Sequence, residues 1–376
     1  MIDRKLRQSI GNKLFKGKAI IITGARQTGK TTLVHRVLDD QNNIVHLNCD
    51  EPVVRESLTN TNLADLQRVI GQNKIVFIDE AQRVKNIGLT LKLITDNIKE
   101  VQLIVTGSSS LDLANEINEP LTGRKWEFQL FPISWGEFVA YRGFLKAKSE
   151  LNQRIIYGMY PDVINHPGDE NEVLLQLSDS YLYKDLLAFK GIRKPDLLEK
   201  LLQALSLQIG SEVSYNELSK LLQVDKNTVA KYIDLLEKTF VVFSVPSFSK
   251  NMRKEISKGK KIYFYDCGIR NAVISNFNNL ELRTDKGPLW ENFLMSERLK
   301  SLRYAGKRAK MHFWRTTDQR EIDYIETEAD SIRAWEMKWN PNTNTKTVSA
   351  FEKSYKTDIE ILTPDNFSDF LEMSDS

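Results

Sequence analysis

The feature that most restricts the fold of this chain is an octapeptide placed between an apolar run and a helical pattern. Residues 24–31 read Gly-Ala-Arg-Gln-Thr-Gly-Lys-Thr, and the run Ala19–Thr23 precedes them. The spacing G-x-x-x-x-G-K-[S/T] predicts a loop whose backbone N–H groups surround phosphates at the start of a helix. A strand, loop and helix in this order indicate a parallel sheet flanked by helices.

The chemistry of the loop suits the triphosphate of ATP. Gly24 and Gly29 permit backbone angles and a close approach that a Cβ would block. Lys30 is expected to act as a catalytic cation at the β- and γ-phosphates, and Thr31 to ligate Mg²⁺. The predicted cofactor-binding residues are Gly24, Ala25, Arg26, Gln27, Thr28, Gly29, Lys30, Thr31 and Thr32.

Two acids at the end of a second apolar run support this site. Residues 74–80 read Lys-Ile-Val-Phe-Ile-Asp-Glu, as in a buried parallel strand that ends in acids. The carboxyl ends of such strands form the ligand-binding edge of an open α/β sheet. We therefore predict that Asp79 holds Mg²⁺ through its water shell, and that Glu80 orients and deprotonates the attacking water.

Composition and charge set limits on the remaining functions. The two cysteines show neither a disulfide framework nor a metal-ligand spacing, which favours a reducing cytoplasm. The N-terminus lacks the apolar stretch of a signal peptide, and no run approaches the length of a membrane span. The net charge is only +3, yet 250–261 and 297–320 are rich in Lys and Arg. These two runs are either solvated faces or a contact surface for a phosphate backbone.

The first 130 residues alternate strand-like and helical patterns, as in a parallel sheet wound with helices. We expect strands near 18–23, 44–48, 74–79, 101–106 and 126–130, and helices near 29–39, 61–71 and 87–99. The fourth strand runs into Gly107 and three serines, where a small polar side chain would lie beside the γ-phosphate. Ser108 is the first candidate for this catalytic position and Ser109 the second; a plain turn is the alternative.

Residues 121–138, together with the octapeptide, resemble a family of bacterial and archaeal AAA-type ATPases. They follow the pattern G-R-x-x-x-F-x-L-x-P-x-S-x-x-E-F that stands after the fourth strand in that family. The resemblance implies an AAA core with strand order 5-1-4-3-2. It also marks Arg124 as a catalytic arginine that senses phosphate, in its own subunit or a neighbour's, with a structural salt bridge as the alternative.

Residues 196–245, with a strand near 261–265, resemble a winged helix. A helix over 197–209 is followed by Ser214, which caps a short helix, and by Asp225, which caps the helix Lys226–Lys238. In a DNA reader the exposed residues of that second helix would enter the major groove. The same fold also serves ATPases as a packing module.

The last ninety residues follow the order αβββαβ and resemble the PD-(D/E)xK nuclease core. Alternation along 321–326 and 332–339 places Asp323, Glu336 and Lys338 on one side, beside Glu291 from the preceding helix. We predict that Glu291, Asp323 and Glu336 bind Mg²⁺ or Mn²⁺, and that Lys338 activates water, so that Asp323, Glu336 and Lys338 form the catalytic set. Glu321-Ile-Asp323 replaces the usual Pro-Asp pair.

These features predict an α/β protein with five segments and ATP hydrolysis as its chemistry. The segments are an ATPase core over 1–145, a helical bridge over 146–195, a winged helix over 196–265, a linker over 266–285 and a nuclease-like domain over 286–376. One hypothesis couples ATP hydrolysis to DNA binding or DNA cleavage. The other is a regulatory switch whose end domains bind protein or DNA. No membrane partner is expected, and a homo-oligomer follows if Arg124 acts on a neighbour.

Overall fold

The structure is a computed structural model of the chain, and it divides into two compact units. The first unit comprises residues 1–132 with 238–240, and the second comprises 133–237 and 241–376. The described residues are 2–108, 117, 119–179, 195–248, 259–316, 320–329, 331–340, 351–352 and 355–372. Ser109 and most of the helix predicted near 346–356 lie outside these ranges. Within them, no helix is long and apolar enough to cross a membrane.

A parallel sheet of five strands forms the centre of the first unit. The strands are β1 Ala19–Thr23, β2 Ile44–Asn48, β3 Ile75–Asp79, β4 Gln102–Gly107 and β5 Lys125–Gln129. Their spatial order is β2-β3-β4-β1-β5, and every pairing is parallel. This confirms the predicted order 5-1-4-3-2. Every residue of β3 is buried, as its unbroken apolar run predicts for a strand covered on both faces.

Helices connect these strands and cover the sheet. They are α1 Leu6–Gly11, α2 Lys30–Val37, α3 Pro52–Leu58, α4 Leu63–Ile70 and α5 Ile87–Asn97. One core cluster joins Ile21, Val76 and Val105 of the sheet to Leu66 and Leu91 of the helices. Helices α2, α4 and α5 lie inside the ranges that the sequence predicted, whereas α1 and α3 carry only six and seven residues and went unpredicted.

The second unit begins with a helical region. Its helices are α6 Trp135–Arg142, α7 Phe144–Ser149, α8 Leu151–Tyr157, α9 Pro161–Asn165, α10 Glu170–Ser178 and α11 Pro195–Leu207. Strand β6 Glu212–Val213, helices α12 Tyr215–Leu222 and α13 Lys226–Lys238, and strands β7 Val242–Pro246 and β8 Lys260–Phe264 follow. The three strands form an antiparallel sheet in the order β6-β8-β7. The identification of residues 196–265 as a winged helix stays a prediction.

The predicted linker over 266–285 needs correction. Helix α14 Cys267–Val273 lies within it, and all seven of its residues are buried. The Asp266 carboxylate caps this helix by accepting from the Ile269 N–H at 3.2 Å. A helix of two turns carries too little periodicity to be recognised in the sequence, and its burial depends on distant segments.

The C-terminal part is a helix followed by a mixed sheet. It consists of α15 Lys286–Tyr304, β9 Lys310–Arg315, β10 Glu321–Glu328, β11 Ser331–Met337, β12 Ile359–Leu362 and α16 Ser368–Leu371. The sheet order is β12-β11-β10-β9, with β11 and β12 parallel and the other pairs antiparallel. Ile322, Ile325 and Trp314 pack with Phe351 in its core.

Candidate functional site

The phosphate loop connects β1 to α2, where the sequence predicts it. A Cβ at Gly24 would collide with the carbonyl oxygen of Leu130, so only glycine fits against that neighbour. Gly29 has φ +88°, a left-handed angle that glycine adopts without strain, and it caps α2. The two glycines are therefore needed for different reasons: Gly24 for space and Gly29 for backbone angle.

The other residues of the loop divide into a buried and an exposed set. Ala25 and Thr28 are buried, and the Thr28 hydroxyl donates to the Ala25 carbonyl at 2.8 Å. Arg26 is half-buried, while Gln27 and Thr32 are exposed. The buried pair fixes the shape of the loop, and the exposed side chains face solvent.

Lys30 lies folded against its own loop. Its Nζ donates to the carbonyl oxygens of Gly24 at 3.1 Å and Ala25 at 2.9 Å, and the residue is only 5% exposed. These bonds hold the ammonium group inside the concave side of the loop. A lysine in this place meets the requirement for a point charge beside phosphate oxygens.

Thr31 and Asp79 meet at the carboxyl edge of the sheet. The Thr31 hydroxyl donates to Asp79 Oδ2 at 2.7 Å. The Thr106 hydroxyl, at the end of β4, donates to the other oxygen, Asp79 Oδ1, and the Glu80 N–H reaches the same atom at 3.1 Å. An oxygen-only donor set of hydroxyl and carboxylate fits Mg²⁺.

His46 on β2 lies beside this carboxylate. Its ring stacks on Phe77 with 4.5 Å between centroids, and its Nε2 is 3.8 Å from Asp79 Oδ2. Burial lowers the pKa of His46, although the Asp79 charge works in the opposite direction. The imidazole therefore favours its neutral form and does not compete with a metal cation for Asp79.

Glu80 and Ser108 are linked by a residue that the sequence did not reveal. The Gln82 Nε2 donates to Glu80 Oε2 at 2.5 Å and to Ser108 Oγ at 2.8 Å. The Ser108 N–H in turn donates to Gln82 Oε1 at 3.3 Å. Glu80 itself has φ +52°, which turns its side chain out of the line of β3. The side-chain amide of Gln82 thus contacts both Glu80, the predicted base, and Ser108, the predicted γ-phosphate sensor.

Arg4 is a second unpredicted residue of this site. It is 8% exposed, and its guanidinium donates to the Thr28 carbonyl at 2.7 Å and to the Phe131 carbonyl at 2.6 Å. It therefore stabilises the phosphate loop, although it lies 24 residues before Thr28 in the chain. Arginine suits this role because its fork can serve two acceptors at once.

Arg124 does not reach the phosphate loop of its own chain, which corrects one of its two predicted roles. Its carbonyl accepts from Ala19 at the start of β1, whereas the loop follows the end of that strand. A strand of five residues separates the two edges by about 16 Å. The Arg124 Nε instead donates to Asp96 Oδ1 at 2.7 Å, which is the salt bridge weighed as the alternative. A role in a neighbouring subunit stays a prediction.

The C-terminal sheet brings Asp323, Glu336 and Lys338 together. Strands β10 and β11 pair so that Tyr324 lies opposite Trp335, which sets Asp323 beside Glu336. The Lys338 Nζ lies 2.6 Å from Glu336 Oε2 and 3.2 Å from Asp323 Oδ2, and the Met337 N–H donates to that same Asp323 oxygen at 2.8 Å. Burial, then repulsion from Asp323, raises the pKa of Glu336 to about 7.

Glu291, the fourth predicted residue of that cluster, is engaged by groups that the sequence did not point to. Its Oε1 accepts from the Lys261 ammonium at 2.8 Å and from the Tyr263 hydroxyl at 2.6 Å. Burial raises the pKa of Glu291 to about 7, with Lys261 opposing the shift and Asp323 adding to it. Among the described residues, no three His, Cys, Asp or Glu side chains are arranged to hold a metal ion. The predicted metal role therefore stays a prediction.

Comparison with known proteins gives information on the site formed by the phosphate loop, Asp79 and Glu80. A family model described as an AAA domain matches residues 16–139, which contain the loop, Asp79 and Glu80. This region is an AAA-type P-loop domain. Two further models, both described as domains of unknown function (DUF8612 and DUF4143), match residues 148–280 and 286–366.

Proteins similar to this chain occur in bacteria and archaea. An uncharacterized protein of Methanocaldococcus jannaschii is 25% identical and aligns over 78% of this chain and 69% of its own length. One of Mycobacterium tuberculosis is 26% identical over 93% of this chain and 76% of its own. The solved Walker-type ATPase PABY2304 of Pyrococcus abyssi has a TM-score of 0.51 at 15% identity, covering 73% of this chain and 96% of its own. That likeness supports the fold.

Proposed function

We propose that the AAA-type domain binds ATP with Mg²⁺ and hydrolyses it to ADP and phosphate. The observation that supports this most is the contact of 2.7 Å between the Thr31 hydroxyl and Asp79. It joins the end of the phosphate loop to the acid of β3, at the edge of the sheet where ligands bind in open α/β folds. Lys30 lies within the same loop.

The residues of the chain would act on the triphosphate as follows. The backbone N–H groups of the loop and the N-terminus of α2 bind the phosphate oxygens. Lys30 leaves the carbonyl oxygens of Gly24 and Ala25 for the β- and γ-phosphates. Thr31 and Asp79 hold the magnesium ion, which neutralises charge on the phosphates when it is bound.

Glu80 is the proposed general base. It accepts a proton from water as the water oxygen bonds to the γ-phosphorus and the bond from that phosphorus to the ADP oxygen breaks. In the described arrangement the Glu80 carboxylate accepts from Gln82. Gln82 therefore sets where the carboxylate points, while Ser108 connects that position to the γ-phosphate end of the site.

We propose coupling of this ATPase to DNA binding or metal-dependent DNA cleavage by the C-terminal region. The meeting of Asp323, Glu336 and Lys338 favours cleavage. The alternative is a regulatory switch whose end domains bind protein or DNA without cutting. It is favoured because Lys261 already pairs with Glu291, and Lys338 with Glu336. Assay of a plasmid with Mn²⁺, for wild type and Asp323→Ala, separates the two.

A pair of variants tests the ATPase proposal at its first step. Lys30→Ala should lose binding of a fluorescent ATP analogue, because the triphosphate loses its cation. Glu80→Gln should bind the analogue as the wild type does yet release no phosphate. Loss of analogue binding in both variants, with the fold intact by circular dichroism, would contradict the role given to Glu80.

A further inference from the structure

A buried lysine lies inside the C-terminal acid cluster. Lys261 is 1% exposed, and its Nζ lies 2.8 Å from Glu291 Oε1 and also contacts the Glu321 carboxylate. Burial alone would lower the pKa of Lys261, but Glu291, Asp323 and Glu321 outweigh that effect and raise it. The side chain is therefore a permanent cation in contact with two acids.

This cation and the acids around it come from different elements. Lys261 belongs to β8, where its backbone pairs with Glu212 of β6 and Val245 of β7. Glu291 belongs to helix α15, and Asp323 and Glu336 belong to β10 and β11. The position of the ammonium group is thus set by the three-stranded sheet, and the positions of the acids by α15 and the C-terminal sheet.

One oxygen of the cluster is left unsatisfied. Glu336 is 3% exposed, and its Oε1 has no hydrogen-bond partner in the part of the chain that the structure describes, although Lys338 engages Oε2. A buried polar atom without a partner is unfavourable, because it has lost its hydrogen bond to water. Such an atom on the residue opposite Asp323 indicates a place for a cation.

We propose that Lys261 occupies the place of a divalent cation in this cluster, and that removing its side chain opens a site for Mg²⁺ or Mn²⁺ on Glu291, Asp323 and Glu336. Glu291 Oε1 already accepts from both the ammonium group and the Tyr263 hydroxyl, which uses its two lone pairs. With Lys261 in place, no three acids of the described residues are arranged to hold a metal ion. A divalent ion on Glu291 would stand close to the ammonium group, and the repulsion between like charges excludes the two cations from binding together. This inference holds whether or not the phosphate loop hydrolyses ATP. Of the two roles proposed for the C-terminal region, it favours the regulatory switch over metal-dependent cleavage.

The test is a Mn²⁺ titration of the full chain at pH 8, without nucleotide. Lys261→Met keeps the length of the side chain and removes its charge. It should bind one more Mn²⁺ than the wild type, at least about tenfold more tightly than any wild-type site, because the acids lose their compensating charge. The double variant Lys261→Met, Asp323→Asn should lose that ion.

Lys300→Met is the matched control. Lys300 is also a fully buried lysine, paired with Glu297 at 2.6 Å on α15. It should lose stability without gaining Mn²⁺. Three results overturn the proposal: folded Lys261→Met binds no additional ion, Lys300→Met gains one as well, or the wild type already binds Mn²⁺ in a way that Asp323→Asn abolishes.

A second variant tests the proposal if Lys261→Met does not fold. Lys261→Gln retains a hydrogen-bond donor toward Glu291, and its melting is followed with and without Mn²⁺. A rise in melting temperature that requires Mn²⁺ and Asp323 supports the proposal. If neither variant folds even at saturating Mn²⁺, the lysine is an irreplaceable structural ion pair and the proposal is wrong.

Discussion

The side-chain amide of Gln82 donates a hydrogen bond of 2.5 Å to the Glu80 carboxylate. The same nitrogen donates to Ser108 at 2.8 Å, so the end of β4 and the end of β3 are connected through one side chain. We therefore expect Gln82 to orient the carboxylate of the proposed base.

We predict that Gln82→Leu lowers kcat for ATP hydrolysis by about tenfold, since misplacing a general base forfeits part of its contribution. The KM for ATP should change little, because the phosphate loop is untouched. Steady-state kinetics measure both. Gln82→Asn, with its shorter side chain, should give an intermediate kcat, and an increase in KM at constant kcat would contradict a positioning role.

Arg4 should support both stability and nucleotide affinity. Arg4→Met leaves the buried carbonyls of Thr28 and Phe131 without a charged donor, which should cost about 2–4 kcal/mol of unfolding free energy. Denaturant unfolding and ATP binding give the two readouts. Arg7→Met is the control, because Arg7 lies three residues further along the chain, in α1, and contacts the Arg36 carbonyl, Asp3 and Asp39 at solvent-exposed sites. Equal losses in both variants would contradict the prediction.

Arg124→Ala should leave ATP binding unchanged. Its salt bridge to Asp96 is partly exposed, so the loss of unfolding free energy should stay below about 1 kcal/mol. ATP turnover measured over a range of protein concentrations tests whether Arg124 acts in a neighbouring subunit. A defect that appears only at high concentration would show that Arg124 serves a neighbouring subunit, while a defect in ATP affinity at low concentration would contradict the geometry.

Stability of the second unit should depend on pH through Glu291. Burial raises its folded-state pKa from 4.5 to about 7, so folding favours the protonated acid. This contribution is complete below pH 4.5 and is lost as the pH rises through about 7, on the order of 3 kcal/mol in all. Glu291→Gln should flatten the fall in unfolding free energy across that window. Asp365→Asn, at an exposed position, should leave the slope unchanged.

The sequence predicted those parts of the molecule that follow from local pattern. All five strands of the AAA domain begin and end within one residue of the predicted bounds, because a buried parallel strand needs an unbroken apolar run. Thr31 was predicted from a motif whose spacing reflects the chemistry of phosphate, and Asp79 and Glu80 from an apolar run that ends in two acids. Alternation along β10 and β11 likewise placed Asp323, Glu336 and Lys338 together.

What the sequence did not indicate depends on contacts between distant residues. Arg4 and Phe131 are 127 residues apart, and Lys261 and Glu291 are 30 apart. Gln82 lies near Glu80 in the chain, but its link to Ser108 exists only because β3 and β4 are neighbours in the sheet. The role of Arg124 was assigned by resemblance. The parallel register of β1 and β5 instead places this residue at the edge of the sheet opposite the phosphate loop.

We propose that the phosphate loop and the β3 acids form a working ATPase. This is tested by measuring the release of phosphate from ATP by purified wild type and Lys30→Ala, each with Mg²⁺ and with EDTA. Only the wild type with Mg²⁺ should release phosphate. Turnover that persists in Lys30→Ala, or that does not need Mg²⁺, would contradict it.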